Sequence, residues 1–136
     1  MNWITERIAI GNYLEAQDSE LLGRHGFRSI LSLDGSLTTE DAAHLNLNGL
    51  VTFQLIDGAG NDPRVIQRAV ESLGDMVESH PPVFVHCHAG RSRSVIIVAG
   101  HLVQVLGIDV DEAIAQVMSK REANIAPALR ELLYRL

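Results

Sequence analysis

The spacing of apolar and polar positions switches between two periods along this chain, and the switches mark out its elements. Between Trp3 and Asn12, Ile8 and Ile10 alternate as a strand requires, and Gly11-Asn12 supplies a turn. Asp18 or Ser19 can cap a short helix through Leu21 and Leu22 that ends at Gly26, and Phe27 to Leu33 reads as a second strand. Thr38-Thr39-Glu40-Asp41 has the hydroxyl and acidic content of a helix start running to about Asn46, and Leu50 to Ile56 reads as a third strand. Val65, Ile66, Ala69, Val70, Leu73, Met76 and Val77 then recur at helical spacing behind Asp62-Pro63, an N-cap followed by proline at the first helical position. His80-Pro81-Pro82 ends that helix.

The apolar run Val83 to Val85 predicts a strand buried on both faces, and Val95 to Leu106 is apolar nearly all round, as a central buried helix would be. Within it His101 reads as a packing histidine and Gly100 as a close helix contact, because a mid-helix glycine otherwise costs about 1 kcal/mol. Gly107 stops the helix, and Asp109-Val110-Asp111-Glu112 resembles a capping box for another through Met118. Pro127 opens a last helix over Ala128 to Leu136, with Leu129, Leu132, Leu133 and Leu136 on one side. Strands alternating with helices predict one α/β domain over residues 1–136, with a mostly parallel central sheet of about four or five strands flanked by helices.

Between the buried strand and the buried helix lies His86-Cys87-His88-Ala89-Gly90-Arg91-Ser92-Arg93-Ser94. The backbone N–H groups of such a loop and the first turn of the helix after it converge on a concavity that suits an oxyanion. Cys87 stands at its mouth, and the spacing to Arg93 lets thiol and guanidinium face one bound group. Oriented N–H groups and a helix N-terminus favour a thiolate, the reactive form of cysteine, so one field serves nucleophile and anion. An isolated cysteine in an apolar stretch is ordinarily an inert buried hydrophobe. Here strand, His-Cys, glycine, Arg-Ser and apolar helix occur in an order that can bring thiol, guanidinium and helix N-terminus onto one oxyanion.

His86-Cys87, five residues, then Arg93-Ser94 resembles the signature loop of the cysteine-dependent protein tyrosine phosphatases. With Ala89-Gly90 and Ser92-Arg93-Ser94 it is most similar to the dual-specificity branch. The resemblance implies Cys87 as nucleophile, Arg93 as a bidentate clamp on phosphoryl oxygens, Ser94 as an aid to thiolate departure and His86 as an orienter of the loop. His88, Ala89, Gly90, Arg91 and Ser92 would complete the phosphate cradle with Arg93. The family also places a general acid on a loop upstream of the cysteine strand. Asp57 sits at a strand exit in Asp57-Gly58-Ala59-Gly60-Asn61-Asp62-Pro63, where glycines permit movement, and matches that place better than Asp62, which has a capping role. A plain turn residue before Gly58 would also explain Asp57. Family members usually end with an arginine region and Pro-Asn before the final helix; Arg121 and Pro127 are present, but Ala128 replaces the asparagine.

A formal charge of −6 disfavours nucleic acid and anionic membrane as partners, so phosphate must be drawn in locally by His88, Arg91 and Arg93. The sequence shows no basic flank followed by an apolar run and no apolar stretch that could span a bilayer. With a single cysteine, no internal disulfide can form, and a reducing, cytoplasmic setting is expected. His86, Cys87 and His88 with His44 or His80 make too weak a ligand set for a metal site, so neither metal nor cofactor is expected. The expected partner is a phosphorylated protein or peptide, phosphotyrosine and with it phosphoserine or phosphothreonine. Non-protein phosphomonoesters, and a phosphate-reading module without turnover, are the alternatives.

Overall fold

Strands and helices follow one another in the computed structural model, which describes residues 1–38 and 40–136. They are β1 (Asn2–Trp3), β2 (Ile8–Gly11), α1 (Ser19–Arg24), β3 (Ser29–Ser32), α2 (Asp41–His44), β4 (Gly49–Thr52), α3 (Pro63–Ser79), β5 (Val83–His86), α4 (Arg93–Leu106), α5 (Val110–Met118) and α6 (Pro127–Arg135). The sheet order is β1-β2-β5-β3-β4, with β1 antiparallel to β2 and every other pairing parallel. The expected α/β architecture is therefore present, with five strands.

Period-two alternation divides the side chains between two cores. Ile8, Ile10, Leu31, Val83 and Val85 face the larger one with α3, α4, α5 and α6, whereas Ala9, Ile30 and Phe84 face a smaller one with Leu22, Phe27, Leu37 and Leu45. Both faces of β5 are covered, which is why its sequence reads as an unbroken apolar run. At α1, α3 and α5 the expected caps form: the carboxylates of Asp18, Asp62 and Asp109 accept from the backbone N–H of Leu21, Arg64 and Glu112, whereas α2 has no side-chain cap among the described residues. Gly100 has its packing reason, because a Cβ there would stand 2.8 Å from Val70 Cγ2 and 3.2 Å from Leu133 Cδ1. His101 is buried on α4, as its reading as a packing residue implied.

Several bounds move inward. The second strand begins after Phe27 because the Phe27 N–H turns back to the carbonyl of Leu22 and closes α1. The third stops at Thr52, beyond which Gln54 makes a single antiparallel bridge with Asp34. In the expected helix start Thr39 lies outside the described residues; the Asp41 carboxylate accepts from the Thr38 N–H and hydroxyl, and Asn46 at φ 59° follows the short α2. Leu136 lies past α6 and is 46% exposed, so the apolar side of that helix is carried by Leu129 and Leu133, with Leu132 half-buried. No helix among the described residues is long and apolar enough to cross a membrane.

The register sets up the site. Gly11 of β2, His86 of β5 and Ser32 of β3 are aligned across the sheet, so the chain leaves these parallel strands at one edge. The carboxyl edge of a parallel sheet is where loops can enclose a ligand.

Candidate active site

β5 delivers His86 fully buried, and the chain then turns through Cys87 to Ser92 into α4. Ser92 occupies the N-cap position, yet its side chain does not cap: the hydroxyl accepts from the Ala126 N–H at 3.0 Å. The first amides of α4 are thus left without a side-chain acceptor, as an anion site at a helix terminus requires. Gly90 has φ 70°, and a Cβ there would meet the Gly11 carbonyl oxygen at 2.3 Å, so the loop lies directly on the end of β2.

Asp57, Cys87, His88, Ala89, Arg91, Ser92, Arg93 and Asn124 line one cavity of about 270 Å³. Cys87 is only 2% exposed, the His88 ring stacks on Tyr13 at 4.4 Å between centroids, and Asn124 is tied in through its N–H to the Arg91 carbonyl at 2.9 Å. Of the residues expected at the site, His86, Gly90 and Ser94 stand behind the wall rather than in it. Ser94 Oγ is buried with no partner among the described residues, so its O–H is unspent.

Arg93 Nη1 donates to the Leu55 carbonyl at 3.1 Å, while its Nε has no partner among the described residues. That bond joins the Cys87 loop to the segment carrying Asp57. Asn61 closes this segment: its side chain accepts from the Ile56 N–H and donates to the Ile56 and Gly58 carbonyls at 2.8, 2.8 and 3.2 Å. Asp57 thus sits on a stapled turn, more fixed than its glycines suggested. Asp62 is outside the cavity lining, holding Arg64 at 3.0 Å and capping α3.

His86 Nδ1 lies 3.1 Å from the Cys87 carbonyl and 4.0 Å from Asp34 Oδ1. Burial holds its pKa below the ordinary value, opposed by the Cys87 carbonyl and the Asp34 carboxylate and reinforced by Arg93. At neutral pH the imidazole is therefore uncharged and donates from Nδ1 to the loop, rather than pairing ionically with Asp34. His101 is lowered in the same direction by burial. A group whose folded pKa is depressed leaves the unfolded chain holding more protons, so these histidines cost no stability above the ordinary value of 6.5 and destabilise as pH falls below it. The midpoint of urea unfolding should fall between pH 7.5 and pH 5.5; an unchanged midpoint would show that neither histidine is held neutral.

Arg121 was visible in the sequence only as part of a terminal pattern. It lies against the far side of the loop, with Nε 2.5 Å from the Gly90 carbonyl and Nη2 3.1 Å from that of Ala89. Nothing local in Lys120-Arg121-Glu122 signals this contact, and the same holds for Asn61, Asn124 and Tyr13.

Residues 11–134 match the family model described as "Dual specificity phosphatase, catalytic domain". The chain belongs to this family. As a dual specificity phosphatase catalytic domain it has the loop and fold that the sequence motif implied. It is 28% identical over 124 residues to Dual specificity protein phosphatase 22 of Xenopus tropicalis, covering 89% of this chain and 56% of that protein. It is 44% identical over a shorter stretch of 52 residues to Phosphatidylglycerophosphatase and protein-tyrosine phosphatase 1 of Rattus norvegicus, 38% of this chain and 27% of that one. The chain thus spans about half or less of the length of these relatives. Among solved structures, human DUSP28 superposes with a TM-score of 0.85 at 18% identity, covering 99% of this chain and 94% of that one.

Proposed function

We propose that this domain hydrolyses phosphomonoesters of proteins, phosphotyrosine and with it phosphoserine or phosphothreonine, through a phosphocysteine intermediate. The observation that carries the reading is the single cavity in which Cys87, Arg93 and Asp57 meet beside the uncapped N-terminus of α4. The Cys87 thiolate attacks phosphorus and the bond from phosphorus to the ester oxygen breaks. Asp57 gives that oxygen its proton, so the alcohol or phenol leaves neutral. Asp57, now a carboxylate, takes a proton from water as it attacks phosphorus; the S–P bond breaks, and the departing thiolate accepts a hydrogen bond from the Ser94 hydroxyl, which is otherwise unpartnered among the described residues and keeps its proton. Arg93 and the loop amides carry the phosphoryl charge through both steps without requiring a metal or cofactor. His86 orients the loop through the Cys87 carbonyl.

The assignment of the acid is tested by comparing two variants. Asp57→Ala should lower kcat by about 10²–10³-fold with vanadate affinity retained, whereas Asp62→Ala should keep kcat and lower the urea midpoint through loss of the α3 cap. The opposite pattern would move the acid to Asp62.

The reading as a whole is tested by hydrolysis of p-nitrophenyl phosphate in chelator, followed by phosphotyrosine, phosphoserine and phosphothreonine peptides. Metal-independent turnover inhibited by vanadate supports it, and vanadate binding without turnover of any ester would instead indicate a phosphate-reading module. The 44% stretch shared with a protein named as both a phosphatidylglycerophosphatase and a protein-tyrosine phosphatase supports a second reading beside the first, a lipid phosphomonoester. Phosphatidylglycerophosphate hydrolysed faster than the peptides would select it. A reducing compartment such as the cytoplasm suits a reaction that depends on one unprotected thiol.

A further inference from the structure

A loop that turns its N–H groups toward an anion must turn its carbonyls the other way, and those carbonyls need donors of their own. In this loop Arg121, just beyond α5, supplies them. Its Nε donates to the Gly90 carbonyl at 2.5 Å, Nη2 to that of Ala89 at 3.1 Å, and Nη1 to the Ile10 carbonyl at 3.2 Å and to Asn2 Oδ1 at 2.8 Å. One guanidinium thereby spans β1, the end of β2 and the underside of the loop.

We infer that Arg121 is a positioning residue that fixes the Gly90 and Arg91 amides toward the bound phosphoryl group, an inference that rests on the phosphatase reading above. In a planar trans peptide the carbonyl and the following N–H point in opposite directions. Holding Ala89 O therefore sets the Gly90 N–H, and holding Gly90 O sets the Arg91 N–H. Ala89 and Arg91 both line the cavity, so the side opposite Arg121 is the ligand side. The fit is close: a Cβ on Gly90 would stand 2.7 Å from Arg121 Nη2, so guanidinium and loop backbone are in direct contact. Burial disfavours the charge of Arg121, and Glu15 and Cys87 counter that effect, so the cation sits in the same field as the nucleophile. A lysine ammonium, a single point with no fork, cannot hold Ala89, Gly90 and Ile10 together.

The test uses Arg121→Lys and Arg121→Ala, with vanadate as the probe of the loop amides. Folding is checked by circular dichroism and urea midpoint, and the Gly90 and Arg91 amides are followed by NMR. Folded Arg121→Lys should bind vanadate at least about tenfold more weakly than wild type and lose kcat to a similar extent, with altered Gly90 and Arg91 amide shifts. Methylguanidinium should restore part of the activity of Arg121→Ala, which a merely structural defect would not allow. If Arg121→Ala does not fold, Arg121→Lys decides alone. Wild-type vanadate affinity and amide shifts in folded Arg121→Lys would overturn the positioning role while leaving the phosphatase reading intact. Failure of wild type itself to bind vanadate would instead overturn that reading.

Discussion

Replacing Arg93 by lysine is expected to lower kcat/KM for an aryl phosphate by about 10³-fold, roughly 4 kcal/mol of transition-state stabilisation. The side chain keeps its charge, so the loss isolates geometry. Arg93 Nη1 is committed to the Leu55 carbonyl at 3.1 Å, which fixes the plane of the guanidinium, while Nε remains without a partner among the described residues. A planar fork held in that way can give two parallel N–H bonds to phosphoryl oxygens, and an ammonium cannot. Because Leu55 lies two residues before Asp57, lysine should also loosen the acid-bearing segment. A fall in kcat/KM carried wholly by a higher KM would mean that Arg93 binds ground state and transition state alike. A change within about twofold would remove it from the transition state altogether.

Cys87→Ser is expected to lower turnover by about 10⁴-fold or more. A serine hydroxyl at the same place is not ionised near neutral pH and is the weaker nucleophile. Cys87 is 2% exposed and serine is of similar size, so the fold should survive and vanadate or a phosphopeptide should still bind. Steady-state turnover with circular dichroism and ligand binding on the same sample checks the three expectations together. Substantial turnover by the folded serine variant would remove Cys87 from the nucleophile's role.

How much was legible depended on whether a feature is local in sequence. α3 was readable because its apolar period and its Asp62-Pro63 start belong to one continuous stretch, and β5 because burial on both faces makes Val83 to Val85 apolar without a break. The order β1-β2-β5-β3-β4 was not readable, since nothing in Ile8–Gly11 specifies that it will lie beside Val83–His86. Two-residue β1 has too few positions to show any period.

The site divides in the same way. Cys87 to Ser94 is one continuous stretch, a loop running into the first turn of α4, and its residue types are what made the proposed chemistry readable. The Arg121 contacts reach across 31 positions to Gly90 and 111 to Ile10, and the Arg93 contact reaches 38 positions back to Leu55. The glycines around Asp57 predicted freedom because glycine permits it, but Asn61 closes the turn with side-chain bonds that no periodicity encodes.

The most direct measurement is an acid quench, within milliseconds, of the protein turning over p-nitrophenyl phosphate, followed by mass spectrometry of the peptide containing Cys87. Hydrolysis through Cys87 predicts one phosphoryl group on that residue, absent from Cys87→Ser and from enzyme not given substrate. Turnover with no phosphorylated Cys87, or an adduct that persists in Cys87→Ser, would contradict it.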